Sequence, residues 1–506
     1  MLAKTITEIQ SLGVKCWPEP LNRKVGAGPA EGGTLLVQDI PVHVPFSSNF
    51  VSKSPYTLIQ ENGASWLAKN SEPLLPAKLV QRPNFYDFQT EEKIPFSMIA
   101  LLHGKDCLAS TVIQTCVHWN PSTRCHFCGI ELSLVNSQTI CKKSPAQLAE
   151  VVARAKELDF VSHVVLTTGA AHPQGKEIDY IGECAKAIKR ICDLPIHAQF
   201  LPPEDDVKLY ELKEAGVDTV GVHIESFDID ILSLHAPVKA AIGFEKYEQT
   251  WNKAVEIFGS NQVSSFLLVG LGEKRETVAH GARFLAERGV YPFLVPFRPI
   301  PGSMMQDHGT PDPELMTQLY KQTVKILLQN GLSSSRSLAG CVRCGACSAL
   351  HAYELEAKKE VVCRPVRNQY ELEKAMEIRN EVFVKEQKLF DSSDFDENDP
   401  RSIHIIAEYN DEIIGVVRVF QEAEGSNKWV GGRLAVRKSR RAYRAGAHLV
   451  REAMRYVKKQ GCTSFTAHIQ ERNVRFFALL GWKSVGPVKI YKGKPHQVME
   501  ADLDRV

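Results

Sequence analysis

The chain has 506 residues, enough for two or three domains with separate cores. Lys and Arg number 61 against 59 Asp and Glu, a formal net charge of +2, so the overall field is that of neither an RNA-coating nor a membrane-surface protein. The opening residues carry no basic start with an apolar core and small-residue cleavage site, and no apolar run is long enough to span a bilayer, which makes cytoplasm the expected compartment.

Thirteen cysteines without a secretion signal argue for reduced thiols and metal ligation over a disulfide framework. Of these, Cys16, Cys107, Cys141, Cys184, Cys192 and Cys462 read mostly as packing residues. Residues 1–104 are rich in Pro, Gly and Ser and hold no steady period, and are expected to form an extension packed on the next domain.

From residue 105 to 330 short apolar runs alternate with amphipathic stretches, the pattern of parallel strands covered by helices. Six strands are predicted, at 110–115, 163–168, 196–201, 219–225, 263–270 and 291–297. Right-handed crossovers would close them into a partial (β/α)6 barrel of the α/β class. Ser144-Pro145-Ala146-Gln147 combines an N-cap, a proline at the first helical position and a capping-box glutamine, and Leu148, Val151, Val152, Ala155 and Leu158 then repeat at helical spacing.

Directly after the first strand, Cys116, Cys125 and Cys128 lie in CVHWNPSTRCHFC, with Phe127 immediately before the last. Three thiolates can hold a [4Fe-4S] cluster and leave one iron free for another ligand. A structural zinc knuckle is the competing reading, although zinc normally takes a fourth protein ligand. In barrels of parallel strands chemistry gathers at the carboxyl ends, and three ends carry suitable groups: Thr168-Gly169, Glu225, and Gly270-Leu271-Gly272-Glu273.

These residues resemble the radical SAM superfamily, whose commonest pattern is Cys-x3-Cys-x2-Cys with an aromatic before the last cysteine; here the first gap is eight residues. Stretches such as GVHIESFD and LLVGLGE look most like the biotin synthase-related branch, and are similar to radical SAM proteins encoded in bacterial nitrilase gene clusters. The resemblance implies a [4Fe-4S] cluster on the three cysteines and S-adenosylmethionine (SAM) beside it. Phe127, Gly270 and Gly272 would lie near adenine, Thr168 and Gly169 near the methionyl amine, and Glu225 near the ribose hydroxyls or the amine. It also implies small-molecule substrates and an electron donor such as flavodoxin or ferredoxin.

Residues 331–360 form a cysteine-rich junction in which Cys341, Cys344 and Cys347 repeat a two-residue spacing with glycine between, suited to an auxiliary iron-sulfur cluster or to zinc. No fourth ligand is evident, since Cys363 falls inside a predicted strand of the next domain.

Residues 361–506 change pattern. A strand at VVCRPV and a helix from about Tyr370 to Asn380 precede HIIAEY and EIIGVVRVF, two strands joined by an Asn-Asp turn. Next comes a strand ending at Val436, a basic loop holding Arg433, Arg437, Lys438, Arg440, Arg441 and Arg444 without one acid, and a helix. A solvated basic face is the plain reading. Arg441-Ala-Tyr-Arg444-Ala-Gly446 with the preceding LAV resembles the GNAT acetyltransferases of α+β fold, with Arg444 in place of the family's first glycine, and the domain is most similar to nitrogen-starvation N-acetyltransferases. That resemblance implies acetyl-coenzyme A held by Leu434, Val436, Arg441, Arg444, Gly446 and Ala447, with Asn473 and Phe477 flanking its pantetheine arm. Tyr491 is the expected acid for the leaving thiolate, and Glu386 or Glu408 the expected route for the amine proton.

Together these readings give a bifunctional enzyme joining radical chemistry on a small nitrogen-containing metabolite, in nitrile-linked nitrogen metabolism, to acetylation of an amine. Two alternatives stay open. The catalytic subunit of Elongator joins the same parts to modify transfer RNA, but this chain lacks a strongly basic N-terminal arm. A metal-stabilised scaffold that only senses acetyl-coenzyme A would retain the folds without catalysis.

Overall fold

A computed structural model describes residues 2–16, 32–46, 48–61, 64–171, 175–359, 361–409 and 412–506, without the side chains of 358 and 359. The chain divides into two compact units, 1–354 and 355–506, so the second cysteine motif belongs to the first unit. Among the described residues no helix is long and apolar enough to cross a membrane.

The first unit opens with helix Leu2–Leu12 and a five-stranded antiparallel sheet: β1 (Gly33–Val37), β2 (Ile40–Val44), β3 (Tyr56–Glu61), β4 (Ala64–Lys69) and β5 (Glu72–Leu79), ordered β2-β1-β5-β4-β3. Two of its hairpins turn through Gln38-Asp39 and Asn70-Ser71, all four at positive φ. The sheet is tied to the rest of the unit where the His43 N–H donates to the Ala346 carbonyl at 2.8 Å and Arg298 Nη2 to the His43 carbonyl at 2.8 Å.

A second sheet is built from β6 (Leu101–His103), β7 (Cys107–Ile113), β8 (His163–Thr168), β9 (Ile196–Gln199), β10 (Thr219–Gly221), β11 (Val263–Val269) and β12 (Val290–Pro296), in sequential order. Strands β7 to β12 are parallel, as the alternating pattern predicts, and β6 adds an unforeseen antiparallel edge. The first predicted strand begins three residues earlier and stops at Ile113, because the Gln114 side chain turns to donate to the Ile130 carbonyl at 2.7 Å. The fourth is regular only to Gly221, since Glu225 adopts φ 76° and keeps just an isolated bridge to Leu267. Helix Pro145–Asp159 carries the expected capping box: the Gln147 N–H donates to Ser144 Oγ at 3.2 Å and the Ser144 N–H to Gln147 Oε1 at 2.9 Å. Leu148, Val151, Val152 and Ala155 are buried.

The second unit is one mixed sheet of β13 (Val362–Pro365), β14 (Ile403–Tyr409), β15 (Glu412–Gln421), β16 (Lys428–Val436), β17 (Ser464–Gln470), β18 (Trp482–Tyr491) and β19 (Lys494–Ala501), ordered β13-β14-β15-β16-β17-β19-β18. The expected β14–β15 hairpin is present, while its turn, Asn410-Asp411, lies outside the described residues. Helix Gln369–Arg379 runs on into a π-helical segment, Asn380–Glu386. Ala375, Ile378, Val382 and Phe383 from this stretch pack on Ile406, Val416 and Ala435 of the sheet. Strands β16 and β17 are the parallel pair, and they are in register only from Lys428–Gly431 against Ser464–Ala467. Beyond Gly431 they part.

Candidate functional site

The first cysteine loop leaves the carboxyl end of β7 and is fixed at its base by backbone. The Val117 N–H donates to the Ala170 carbonyl at 3.0 Å, and the Gly169 N–H to the Ile113 carbonyl at 2.9 Å. A Cβ on Gly169 would stand 2.0 Å from the Thr115 carbonyl oxygen, so this approach requires glycine. Thr168 Oγ1 donates to the Gly169 carbonyl at 2.8 Å. Further along, Glu131 accepts from the Cys116 N–H at 2.9 Å, and the His126 N–H donates to the His235 carbonyl at 2.8 Å.

Burial pushes the Cys128 thiol up to about 12, and the neighbouring Cys125 and Cys116 push it the same way. Burial likewise raises Cys125 to about 11, with Lys239 opposing and Glu225 and Cys116 adding. Charge on one of these thiols thus disfavours charge on Cys125 and Cys128, as expected of neighbouring thiolates without a cation between them. Among the described residues no three His, Cys, Asp or Glu side chains gather around the position of one metal ion. In a cubane each thiolate binds a separate iron, and three half-buried, mutually coupled thiols fit that demand.

Glu225 is no rim carboxylate. It is 9% exposed and pairs with Lys239 at 2.8 Å, while Lys239 Nζ also donates to the His223 carbonyl at 2.6 Å. At the end of β11, the Gly270 and Leu271 N–H groups donate to the Glu273 carboxylate at 2.8 and 2.9 Å. Leu271 packs with Phe297 and Met305, and Phe127 and Ile231 lie against that cluster. The structure thus brings Phe127 to the glycine segment, and Thr168-Gly169 to the root of the cysteine loop.

The second motif sits against the starts of the strands. Helix Gly340–Cys344 has its Ala339 carbonyl accepting from Thr219 Oγ1 at 3.4 Å, and a Cβ on Gly340 would stand 2.6 Å from the His197 ring. Gln199 Nε2 donates to Cys341 Sγ at 3.4 Å. Two residues that carry no motif spacing join this site. His103 lies 3.7 Å from Cys344 Sγ through Nδ1 and 3.7 Å from Cys347 Sγ through Nε2. Cys107, read above as a packing residue, is His103's direct partner across β6–β7 and packs on Cys344. A hydrogen bond from Cys107 and another from His103 hold the Cys344 thiol well below its ordinary range, whereas burial raises Cys341. Gly104 lies so close that a Cβ there would stand 2.6 Å from Cys344 Sγ.

In the second unit a cavity of about 330 Å³ opens where β16 and β17 part. Leu434, Asn473, Phe477 and Tyr491 line it, together with Asp396, Arg433, His468 and His496. The turn Lys438–Tyr443 and helix Ala445–Lys459 follow β16; no acid occupies the helix's first turn, which contains Gly446 and Ala447. Arg444, standing where the resemblance expects glycine, adopts φ 59°.

The basic loop is less bare than its sequence implies. Arg441 pairs with Glu386 at 2.6 Å, Arg437 and Arg440 with Glu412 at 3.2 and 2.5 Å, and Arg433 turns away to Asp396 at 3.0 Å. Among the described residues Lys438 and Arg444 carry no ion pair. Glu408 pairs with Arg364 at 2.6 Å, and neither it nor Glu386 lines the cavity. Beneath the cavity the fully buried Arg379 binds Asp394 at 2.8 Å and Asp399 at 2.5 Å, while Arg418 joins Asp399 and Asp396 at 2.8 and 2.6 Å. His468, His496 and Asp396 carry no motif spacing; only the sheet pairing brings the two histidines to the cavity.

Comparison with known proteins divides the chain in the same way. The family model "Radical SAM superfamily" matches residues 122–285, a span that includes Cys125 and Cys128 and starts after Cys116. The model "Acetyltransferase (GNAT) family" matches residues 370–482. A Bacillus subtilis protein named as an acetyltransferase is 31% identical over 149 residues, covering 28% of this chain and 96% of that protein. Bacteriochlorophyllide c C-7(1)-hydroxylase of Chlorobaculum limnaeum is 23% identical over 235 residues, 42% of this chain and 58% of the hydroxylase. The crystal structure of Escherichia coli ElaA aligns with a TM-score of 0.26 and 21% identity, over 28% of this chain and 99% of that one.

Proposed function

Since the chain belongs to the radical SAM superfamily through its first unit and to the GNAT acetyltransferases through its second, and is thereby a bifunctional enzyme, we propose that it performs radical chemistry on a small nitrogen-containing metabolite and acetylates an amine in nitrile-linked nitrogen metabolism. The observation that carries the first half is the meeting of three separate segments: the cysteine loop, the Thr168-Gly169 turn beneath it, and the Gly270–Glu273 segment against which Phe127 packs.

Cys116, Cys125 and Cys128 would hold a [4Fe-4S] cluster. With SAM bound, that cluster supplies a carbon-centred radical able to abstract hydrogen. Phe127, Leu271 and Ile231 offer an apolar wall for adenine, and the Thr168-Gly169 backbone offers carbonyls to an amine. The Glu225–Lys239 pair holds a compensated charge beside Cys125. A low-potential donor of the flavodoxin or ferredoxin class would supply the electron. Cys341, Cys344 and Cys347 would hold an auxiliary iron-sulfur cluster, with His103 and Cys107 beside them as donors.

In the second half the parted strands would admit the pantetheine arm between Leu434 and Asn473, which line the cavity, while Arg444, Lys438 and the helix starting at Ala445 would offer charge and free N–H groups to the pyrophosphate. Holding amine and thioester together would lower the barrier by orientation, and Tyr491, which lines the cavity, would protonate the departing thiolate. Anaerobic reconstitution with iron and sulfide, followed by SAM and a reductant, should yield deoxyadenosine, and acetyl-coenzyme A with an amine panel should release free thiol. Absence of deoxyadenosine with every nitrogen-containing metabolite tried would refute the first half alone.

A further inference from the structure

Acetyl transfer needs somewhere for the amine proton to go, and Glu386 and Glu408 are bound to Arg441 and Arg364 outside the cavity. Inside it stands His496, on β19, paired with Gln470 of β17 on one side and Lys489 of β18 on the other. It is only 6% exposed. Its Nδ1 lies 2.9 Å from the Lys494 carbonyl. A carbonyl only accepts, so Nδ1 carries the hydrogen of the neutral ring and Nε2 carries the lone pair.

Among the described residues Nε2 meets no hydrogen-bond partner and is not sealed from solvent, which leaves it open beside the cavity that the residue lines. The ring of Tyr491 meets His496 edge-on with centroids 5.6 Å apart. His468 of β17, Asp396, Arg418 and Arg433 also line this space, and Lys489 of β18 is the cross-strand neighbour of His496.

We propose that His496 is the general base of acetyl transfer. Resting on the acetyltransferase reading above, the step runs as follows: the amine nitrogen attacks the thioester carbonyl, its proton passes to Nε2, the C–N bond forms and the C–S bond breaks. The leaving thiolate takes a proton from Tyr491, and the imidazolium returns its proton to the tyrosinate. The products are the N-acetyl amine and free coenzyme A, with no oxidant or reductant required. His468 is the rival, being on the same face of the adjacent strand, but its side chain is exposed to bulk solvent.

The test uses the full chain, acetyl-coenzyme A and three primary amines, benzylamine, cadaverine and lysine methyl ester. His496→Asn places an amide where Nδ1 stood and so retains the bond to the Lys494 carbonyl while deleting the base. It is expected to lower kcat about 10²–10⁴-fold, to leave the KM for acetyl-coenzyme A and the melting temperature unchanged, and to abolish the rise of kcat/KM with pH that accompanies imidazole deprotonation. Raising the pH, which deprotonates the amine itself, should restore part of the rate. Loss of that limb in His468→Asn but not in His496→Asn would overturn the assignment, as would full activity in both. Failure of the wild type to acetylate any of the three would overturn the acetyltransferase reading itself.

Discussion

At Arg444 the backbone sits at φ 59°, a region where a side chain meets steric resistance of about 1–2 kcal/mol. Arg444→Gly relieves that strain but frees the unfolded chain, a partly offsetting loss of about 0.5–1 kcal/mol. Calorimetry should therefore find the glycine variant melting no lower than wild type and Arg444→Ala below it, while both bind coenzyme A several-fold more weakly for want of the guanidinium. Asp399 illustrates the opposite economy. Although burial alone would raise it, hydrogen bonds from His404, Arg379 and Arg418 hold its carboxyl far below the usual range. A depressed carboxylate contributes stability above its ordinary pKa and loses it as pH falls through the folded value. Asp399→Asn should destabilise the second unit by about 3–5 kcal/mol at neutral pH, and the gap between variant and wild type should narrow in urea titrations below about pH 4. Phe127 and the glycine segment were legible in the sequence because the one stands inside the cysteine motif and the other directly follows a predicted strand. His496 was not: its role depends on cross-strand register with Gln470 and on one carbonyl two residues away.

The six parallel strands could be read in advance because each is a short, mostly apolar stretch that alternates along the chain with an amphipathic helical stretch. The sheet over residues 33–79 could not. Its strand β1 is buried along nearly its whole length and so shows no alternation, and two of its hairpins turn through Gln38-Asp39 and Asn70-Ser71 instead of the Asn-Gly or Asp-Gly pairs that announce such turns; only Asn62-Gly63, between β3 and β4, is such a pair. Where the β7 loop meets the β8 loop, the prediction is steric. In Gly169→Ala a methyl group would fall 2.0 Å from the Thr115 carbonyl, displacing the root of the cysteine loop. That variant should bind less iron at the first site after reconstitution, measured as iron per chain and as the loss of deoxyadenosine formation, with acetyl transfer unaffected.

For the molecule as a whole, the division at residue 354 places every proposed metal ligand in one unit and every proposed coenzyme A contact in the other. Treatment with a chelator and a reductant, or exposure to air, should abolish deoxyadenosine formation while thiol release from acetyl-coenzyme A continues; a parallel loss of both would show that the second activity depends on the metal. Within the first unit, His103 and Cys107 meet Cys344 across a sequence separation that is 241 residues for the histidine. At a synthesis rate of about 5–20 residues per second, the hairpin would wait roughly 12–48 s for its partner to emerge from the ribosome. Throughout that interval a thiol destined for the interior faces oxidants and stray metals, so the hazard to this protein is concentrated in its birth, and the cell's iron supply and redox state at that moment would govern how much of it matures.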